Sequence, residues 1–271
     1  MSKEVRVIRL KLDIIFKRMF GTEGNEDLLT ALVAALLDIP RESIKSIELK
    51  NVEMPPEYYG NKFSRLDLKL TVDDKVVNIE IQVNAEQDFK DRTLFYWARM
   101  FSDELGSGDS YGDLKKTICL NIVNFDMFDC NDYHSCFLAM EQDRGEMLSD
   151  KFAIHFFELR KLSKCRKDKP MDEWLRVINA ETEDELMEIM QTTQIPEIKR
   201  TIVKLREMSA DEKLREEARL REMSLRDEIS ALKGAENKGV KKERQRTIEN
   251  MRRAGFTEEQ IRLAIGEDTD F

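Results

Sequence analysis

The sequence contains few cysteines and no long apolar run. Its 271 residues include four cysteines and no Cys-x-x-Cys pair, whereas exported proteins stabilised by disulfides carry a denser set. No stretch reaches the roughly 18 uninterrupted apolar residues of a membrane span. Arg9, Lys11 and Asp13 interrupt the apolar residues near the start before they reach the length of a signal peptide. We therefore expect a soluble, cytoplasmic protein with reduced thiols.

The sequence also lacks an overall excess of positive charge. Its net charge of −9 argues against a surface covered by the lysines and arginines that neutralise nucleic-acid phosphates. The charge is unevenly distributed, however, because the segment from Ile198 to Arg253 has 17 basic and 11 acidic residues, a local charge of +6. The rest of the chain carries −15. A local contact with nucleic acid therefore remains compatible with the composition.

The histidines and cysteines give little indication of a metal site. Cys130, His134 and Cys136 form a Cys-x3-His-x-Cys arrangement, which lacks a fourth ligand at the spacing of a zinc finger. His134 and His155 are each isolated in the sequence, and His155 lies in an apolar segment. We expect both histidines to serve packing.

Apolar periodicity predicts an α/β layered domain. Residues 25–37 and 87–104 have the spacing of helices, the second of them amphipathic. Residues 115–125 and 151–159 are short apolar runs with the length and composition of strands in a sheet interior. Helices before and after such strands indicate an α/β arrangement.

The last third of the chain has a different composition. From about Pro196 onward aromatic residues nearly vanish and charged residues accumulate, which favours a long helix in which pairing with a second copy is plausible. Gly255 and Thr257 separate a helix from a second short helix near the end. We therefore predict a domain of residues 1–195 and a charged helical tail of residues 196–271 that ends in two short helices.

Residues 63–83 predict a β-hairpin with a polar face. Apolar and polar residues alternate on both sides of Asp73-Asp74, so residues whose numbers sum to 147 lie opposite one another. This register places Asp67 directly across from Glu80, with Gln82 on the same face. A slip by one residue is disfavoured because it would exchange the faces of a whole strand.

Two carboxylates at this separation repel unless positive charge lies between them. A divalent cation such as Mg²⁺ suits the pair, since it takes oxygen ligands and needs only one or two carboxylates. The alternative interpretation is an ordinary solvated face of a hairpin, on which Asp67 pairs with Lys69 or Arg65.

Several segments resemble one known family. RLDLKL followed by IEIQV is similar to the D…(D/E)-x-(K/Q) signature of PD-(D/E)XK nucleases, in the version with Gln. KLDIIFKRMFG resembles the opening motif of the recombination-promoting nuclease (Rpn) and transposase family. Lys62-x-x-Arg65, Arg92-x-x-x-Tyr96 and GDSYGDLKKTICLNIVNF are similar to further segments of that family, in the same order. The resemblance covers about residues 8–165 and continues more weakly through the tail.

The resemblance implies a restriction-endonuclease-like core, a mixed sheet flanked by helices, and a set of metal ligands. Asp67, Glu80 and the backbone carbonyl of Ile81 would bind Mg²⁺, with Mn²⁺ as an alternative. Gln82 stands where wider relatives place lysine, and a neutral amide can only orient groups by hydrogen bonds. Asp13 could approach the site, or it could equally cap the first turn of its own helix.

The resemblance also suggests contacts with DNA. Lys62 and Arg65 precede the first acid of the motif, and Arg92 either contacts phosphate or lies on an exposed helix surface. We expect Tyr96 to be a core residue.

The function implied is a metal-dependent DNA endonuclease that hydrolyses phosphodiester bonds and promotes recombination or transposition. The alternative is a non-cleaving DNA-binding or assembly protein that keeps the nuclease fold and uses its tail, either on DNA or to form a homodimer. A transposase with strand-transfer activity finds little support, because the sequence shows no separate DNA-reading domain unless the last helices serve as one.

Overall fold

The computed structural model describes residues 7–50, 68–86, 88–163 and 169–265. In these residues the strands are β1 (Ile47–Lys50), β2 (Leu68–Val72), β3 (Lys75–Gln82), β4 (Thr117–Val123), β5 (His134–Met140) and β6 (Met147–Glu158). The helices are α1 (Asp13–Phe20), α2 (Glu26–Leu36), α3 (Phe89–Ser102), α4 (Pro170–Asn179), α5 (Glu183–Thr192), α6 (Pro196–Ala210), α7 (Glu212–Arg253) and α8 (Glu258–Ile265). No helix in the described part of the chain is long and apolar enough to cross a membrane.

The described strands form one mixed sheet in the order β1-β2-β3-β4-β6-β5. The central strands β3, β4 and β6 are parallel, whereas β1, β2 and β5 pair antiparallel toward the edges. Every residue of β4 is buried, as expected for a parallel strand that is covered on both faces. This sheet and its flanking helices confirm the predicted α/β fold.

The predicted hairpin is confirmed in its register. Leu68 pairs with Ile79 and Leu70 with Val77, and Val72 and Lys75 close the pair around a two-residue turn. Asp73 in this turn has a φ of 53°, the left-handed region that Asp tolerates better than most residues. Asp67 itself lies outside the described residues, so its position opposite Glu80 remains a prediction.

The two faces of the sheet are covered by different helices. On one face, Phe89 and Met100 of α3 pack in a single cluster with Cys119 of β4 and Phe156 of β6. On the other face α1 approaches closely, since a Cβ added at Gly21 would lie 3.0 Å from Leu68. α2, α4, α5 and α6 pack with one another and with α1. α3 thus covers the side of the sheet on which the polar residues of β3 lie.

The first compact unit of the structure extends further than the predicted domain. It comprises Met1–Arg221, and Glu222–Phe271 form the second unit. Ile198, Ile202 and Leu205 of α6 are buried, so this helix belongs to the core. The compact units therefore divide at residues 221 and 222 rather than at the predicted boundary of 195 and 196, because the charged composition of α6 conceals a buried, mostly aliphatic face.

The second unit is helical, and the sequence predicted the break between its last two helices. Gly255 has a φ of +85°, and Thr257 begins α8 by accepting a hydrogen bond from the backbone N–H of Gln260 at 3.3 Å. The first of the two predicted short helices is the end of the long helix α7. The second is α8, with Ile261 buried.

Candidate active site

The polar side of β3 faces α3 rather than solvent. Val76, which is on the same side of the strand, packs in one cluster with Met100 of α3. Asn78 and Glu80 follow at alternate positions and are only 1% and 5% exposed. The parallel register places the fully buried Asn121 of β4 beside Glu80. The interpretation of this face as solvated therefore does not hold for Asn78 and Glu80.

Glu80 is a buried carboxylate with a positive partner. Burying a charge is costly unless it is paired, and Nη2 of Arg92 lies 3.5 Å from Oε1 of Glu80. Arg92 projects from the first turn of α3, and its guanidinium lies 4.8 Å from the centroid of the Phe89 ring. Its side chain is 24% exposed, so the pair is screened less than a surface ion pair. Arg92 is thus a partner of the motif rather than an exposed helix-surface residue.

Gln82 forms a closed ring of hydrogen bonds with Arg92 and Glu86. Its Oε1 accepts from Nη2 of Arg92 at 3.3 Å, and its Nε2 donates to Oε1 of Glu86 at 2.8 Å. Nη1 of Arg92 donates to the other carboxylate oxygen of Glu86. Nε2 of Gln82 also donates to the backbone carbonyl of Asn84 at 3.0 Å. Because a guanidinium only donates and a carboxylate only accepts, these partners fix the orientation of the Gln82 amide.

The negative charge of Glu80 acts on a buried thiol of the neighbouring strand. Burial raises the pKa of the Cys119 thiol, and the negative charge of Glu80 raises it further. Cys119 is therefore a neutral, protonated thiol at physiological pH. On the neighbouring strand, Asn121 donates from Nδ2 to the backbone carbonyl of His155 at 3.0 Å. Arg92 thus provides a positive charge in direct contact with Glu80.

The other predicted site residues occupy different positions. Asp13 is the first residue of α1 and forms an ion pair with Arg221 at 2.9 Å. Ile81 is buried and pairs with Ile122 of β4. Tyr96 lies in the core cluster of α3, which confirms its assignment as a core residue. The remaining predicted residues, Lys62, Arg65 and Asp67, lie outside the described residues.

Glu86 is a site residue that the sequence did not reveal. It lies in the connection between β3 and α3, where no periodicity marks it. A second buried ion pair, also unforeseen, joins Lys161 to Glu158 at 2.8 Å at the end of β6. Burial opposes the charge of Lys161, but the hydrogen bond and charge of Glu158 outweigh it and raise the pKa of Lys161. Glu158 also accepts a hydrogen bond from the backbone N–H of Met127, so this pair anchors the connection after β4.

The two histidines, which lie 21 residues apart in the sequence, are neighbours in the structure. Nε2 of His134 lies 3.0 Å from Nδ1 of His155, and Sγ of Cys136 lies 3.6 Å from Nε2 of the same ring. The antiparallel register of β5 and β6, which pairs Cys136 with His155, brings them together. Ring stacking of His134 on Phe157 at 4.7 Å agrees with the packing role expected for it.

The donors near Glu80 suit a hard divalent cation. Glu80 and Glu86 provide carboxylate oxygens, which are the ligands that Mg²⁺ prefers. The described residues bring together no group of three or more His, Cys, Asp or Glu side chains that could hold a metal ion. Mg²⁺ usually keeps several waters and needs one or two carboxylates. Glu80 therefore fits as one ligand of a site whose other ligands are water, substrate oxygens or residues beyond those described.

Comparison with known proteins gives one match. A family model described as PD-(D/E)XK nuclease family transposase matches residues 10–235, which include Glu80, Gln82 and Arg92. Curated proteins and solved structures gave no match. The matched residues span most of the chain. The chain therefore belongs to the PD-(D/E)XK nuclease family transposases.

Proposed function

We propose that this protein is a cytoplasmic, magnesium-dependent endonuclease that hydrolyses phosphodiester bonds in DNA. The observation that carries the proposal is the buried carboxylate of Glu80, placed by β3 beneath α3 with Gln82 two residues further on. A buried charge is retained at a cost, and clusters of this kind are typical of functional sites. Membership of a nuclease family supports the same conclusion.

Glu80 would hold the cation together with Asp67 and the backbone carbonyl of Ile81. When bound, a divalent cation polarises a phosphoryl oxygen and lowers the pKa of water. Mn²⁺ would serve as an alternative ion because it accepts the same oxygen ligands. Asp13 forms an ion pair with Arg221. We therefore assign it to the first turn of α1 rather than to the catalytic groups.

Gln82 would orient the attacking water by accepting a hydrogen bond from it at Oε1, since Nε2 already donates to Glu86 and to the carbonyl of Asn84. The oxygen of that water forms a bond to phosphorus while the bond from phosphorus to the leaving sugar oxygen breaks. The electron pair stays on the leaving oxygen, which takes up a proton, and the water loses a proton to solvent. Lys62 and Arg65 would contact the phosphates of the bound strand, and the basic stretch within Ile198–Arg253 would add sequence-independent contacts.

A second candidate is a DNA-binding or assembly protein that does not cleave. The neutral amide of Gln82 favours it, since the chain carries no lysine at this position of the motif. The first candidate predicts metal-dependent nicking, whereas the second predicts DNA binding without nicking or, for an assembly protein, neither.

The test compares nicking of supercoiled plasmid by the parent protein and by Glu80→Gln, with Mg²⁺, with Mn²⁺ and with chelator. We expect the parent to nick with either ion, and Glu80→Gln to lose at least about 10²-fold in rate, the scale for removing one charge-stabilising group. Glu48→Gln on β1 is the matched control, since Glu48 is an exposed glutamate of the same sheet.

The outcomes separate the two candidates. DNA binding by gel shift without nicking under any of these conditions would favour the non-cleaving protein. Nicking that persists unchanged in Glu80→Gln would show that the activity does not come from this site.

A further inference from the structure

Resting on the proposed endonuclease function, we infer that Arg92 is a further catalytic residue that supplies from α3 the positive charge that Gln82 does not carry. Glu86 is the positioning residue that holds the guanidinium beside Gln82. Gln82 and Arg92 thus share the roles that a single lysine on β3 would combine.

The position of the guanidinium supports this role. Nη2 of Arg92 lies 3.3 Å from Oε1 of Gln82 and 3.5 Å from Oε1 of Glu80. An ammonium at position 82 would lie in the same region, because a lysine side chain follows the path of the glutamine side chain and extends slightly beyond it. Arg92 reaches this region from the helix that covers the sheet, and it brings a full charge that glutamine lacks.

Arg92 is held in place before any substrate arrives. Its guanidinium lies over the ring of Phe89 at 4.8 Å and near that of Tyr96 at 6.0 Å. One carboxylate oxygen of Glu86 accepts from Nη1 of Arg92, and the other accepts from Gln82 at 2.8 Å. Groups fixed in this way stabilise developing charge without having to reorganise during the reaction.

The three described charged side chains are compatible with a bound cation. Glu80 and Glu86 carry two negative charges, and Arg92 carries one positive charge, so the described cluster has a net charge of −1. A divalent cation and the negative phosphate group of a substrate can therefore enter together. In the absence of the cation, Arg92 neutralises Glu80. Arg92 therefore competes with the cation for this carboxylate.

In the chemical step Arg92 neither gains nor loses a proton. The water oxygen bonds to phosphorus, the bond to the leaving sugar oxygen breaks, and negative charge grows on the oxygens that surround phosphorus. The guanidinium stabilises that charge by donating from Nη2, while Nη1 stays bound to Glu86.

The experiment combines single-turnover nicking with calorimetric titration of Mn²⁺ in the absence of DNA. The variants are Arg92→Gln, Arg92→Lys and the double variant Gln82→Lys/Arg92→Gln, which returns the charge to the strand. Lys90→Gln is the matched control, because Lys90 is an exposed cation of the same helical turn. Thermal melting of each variant monitors the fold.

We expect Arg92→Gln to lose about 10²- to 10³-fold in nicking rate, the usual effect of removing a preorganised stabilising donor. Arg92→Lys should stay within about tenfold of the parent, and the double variant should recover at least about tenfold over Arg92→Gln, since each restores a positive charge to the site. Mn²⁺ should bind Arg92→Gln as tightly as the parent or more tightly, because the competing cation has gone. A residue that only supported the fold would not produce this opposite change in rate and metal affinity.

Three results would overturn the inference while leaving the endonuclease function standing. The first is parent-like nicking by Arg92→Gln when Glu80→Gln is inactive. The second is an equal loss in Arg92→Lys, Arg92→Gln and the double variant, which would show that charge is not what matters. The third is a joint loss of nicking, Mn²⁺ binding and melting temperature in Arg92→Gln with no recovery in the double variant. A parent protein that nicks no DNA would instead overturn the proposed function itself.

Discussion

At the scale of single residues, Gln82 makes more hydrogen bonds than a solvent-facing strand residue requires. Its amide bonds Arg92, Glu86 and the carbonyl of Asn84. Because both ends of the amide are engaged, rotation would place an NH₂ group against Arg92 and an oxygen against Glu86. Gln82 is therefore a fixed link between the motif on β3 and the helix above it.

We expect Gln82→Ala to lower nicking by about 10²- to 10³-fold at most, since it removes one oriented amide group and leaves the charge of Arg92 in place. Single-turnover rates over a Mg²⁺ titration measure the effect. In Gln82→Lys with Arg92 retained, two cations would compete for Glu80, so half-maximal nicking should require more Mg²⁺. Parent-like rates in Gln82→Ala at every Mg²⁺ concentration would remove Gln82 from the site.

At the scale of elements, the antiparallel pair of β5 and β6 holds a histidine in its neutral form. Burial, together with the nearby charges of His134 and Lys116, lowers the pKa of His155 to about 4 from an ordinary value of 6.5. The unfolded chain therefore takes up this proton between pH 6.5 and pH 4, whereas the folded chain does not. Folding stability should fall as the pH falls through that window, and the full stability should be present above it.

The size of this effect can be tested with His155→Gln. A pKa difference of this order corresponds to at most about 3 kcal/mol in the free energy of unfolding. We expect the melting temperature of the parent to drop more steeply between pH 7 and pH 4.5 than that of His155→Gln. Carboxylates that titrate in acid contribute equally to both proteins, so parallel curves would mean that His155 does not drive the acid sensitivity.

At the scale of the whole molecule, α6 decides where the first unit ends. Ile198 and Ile202 are fully buried and Leu205 nearly so. Ser209 at the end of the same helix accepts a hydrogen bond from the backbone N–H of Ile8 at 3.1 Å. Through these buried residues and this hydrogen bond, α6 packs as part of the first unit.

We expect a chain that ends at Arg221 to keep a cooperative thermal transition, and a chain that ends at Ile195 to lose it. Three buried aliphatic side chains contribute about 5 to 9 kcal/mol, which is comparable to the whole stability of a typical domain. Circular dichroism melts of the two truncated proteins measure the difference. A cooperative melt of the shorter protein near the parent temperature would restore the domain boundary that composition suggested.

The sequence by itself determined the hairpin, its register, the neighbouring elements α2, α3, β4 and β6, and the stop at Gly255. These features follow from local periodicity, because a strand alternates its faces every residue and a helix repeats its face every 3.6 residues. The same alternation placed Glu80 and Gln82 on one face. The alternation does not indicate which element covers that face.

Only the tertiary structure decided that this face is buried and that Arg92 and Glu86 are part of it. α3 must fold back over β3 before a residue ten positions after Gln82 can reach its amide, and the intervening connection has no period from which to infer that path. The contact between His134 and His155 depends in the same way on how β5 pairs with β6. Periodicity identifies the face on which a side chain lies, whereas packing of elements distant in the chain selects the partner it meets there.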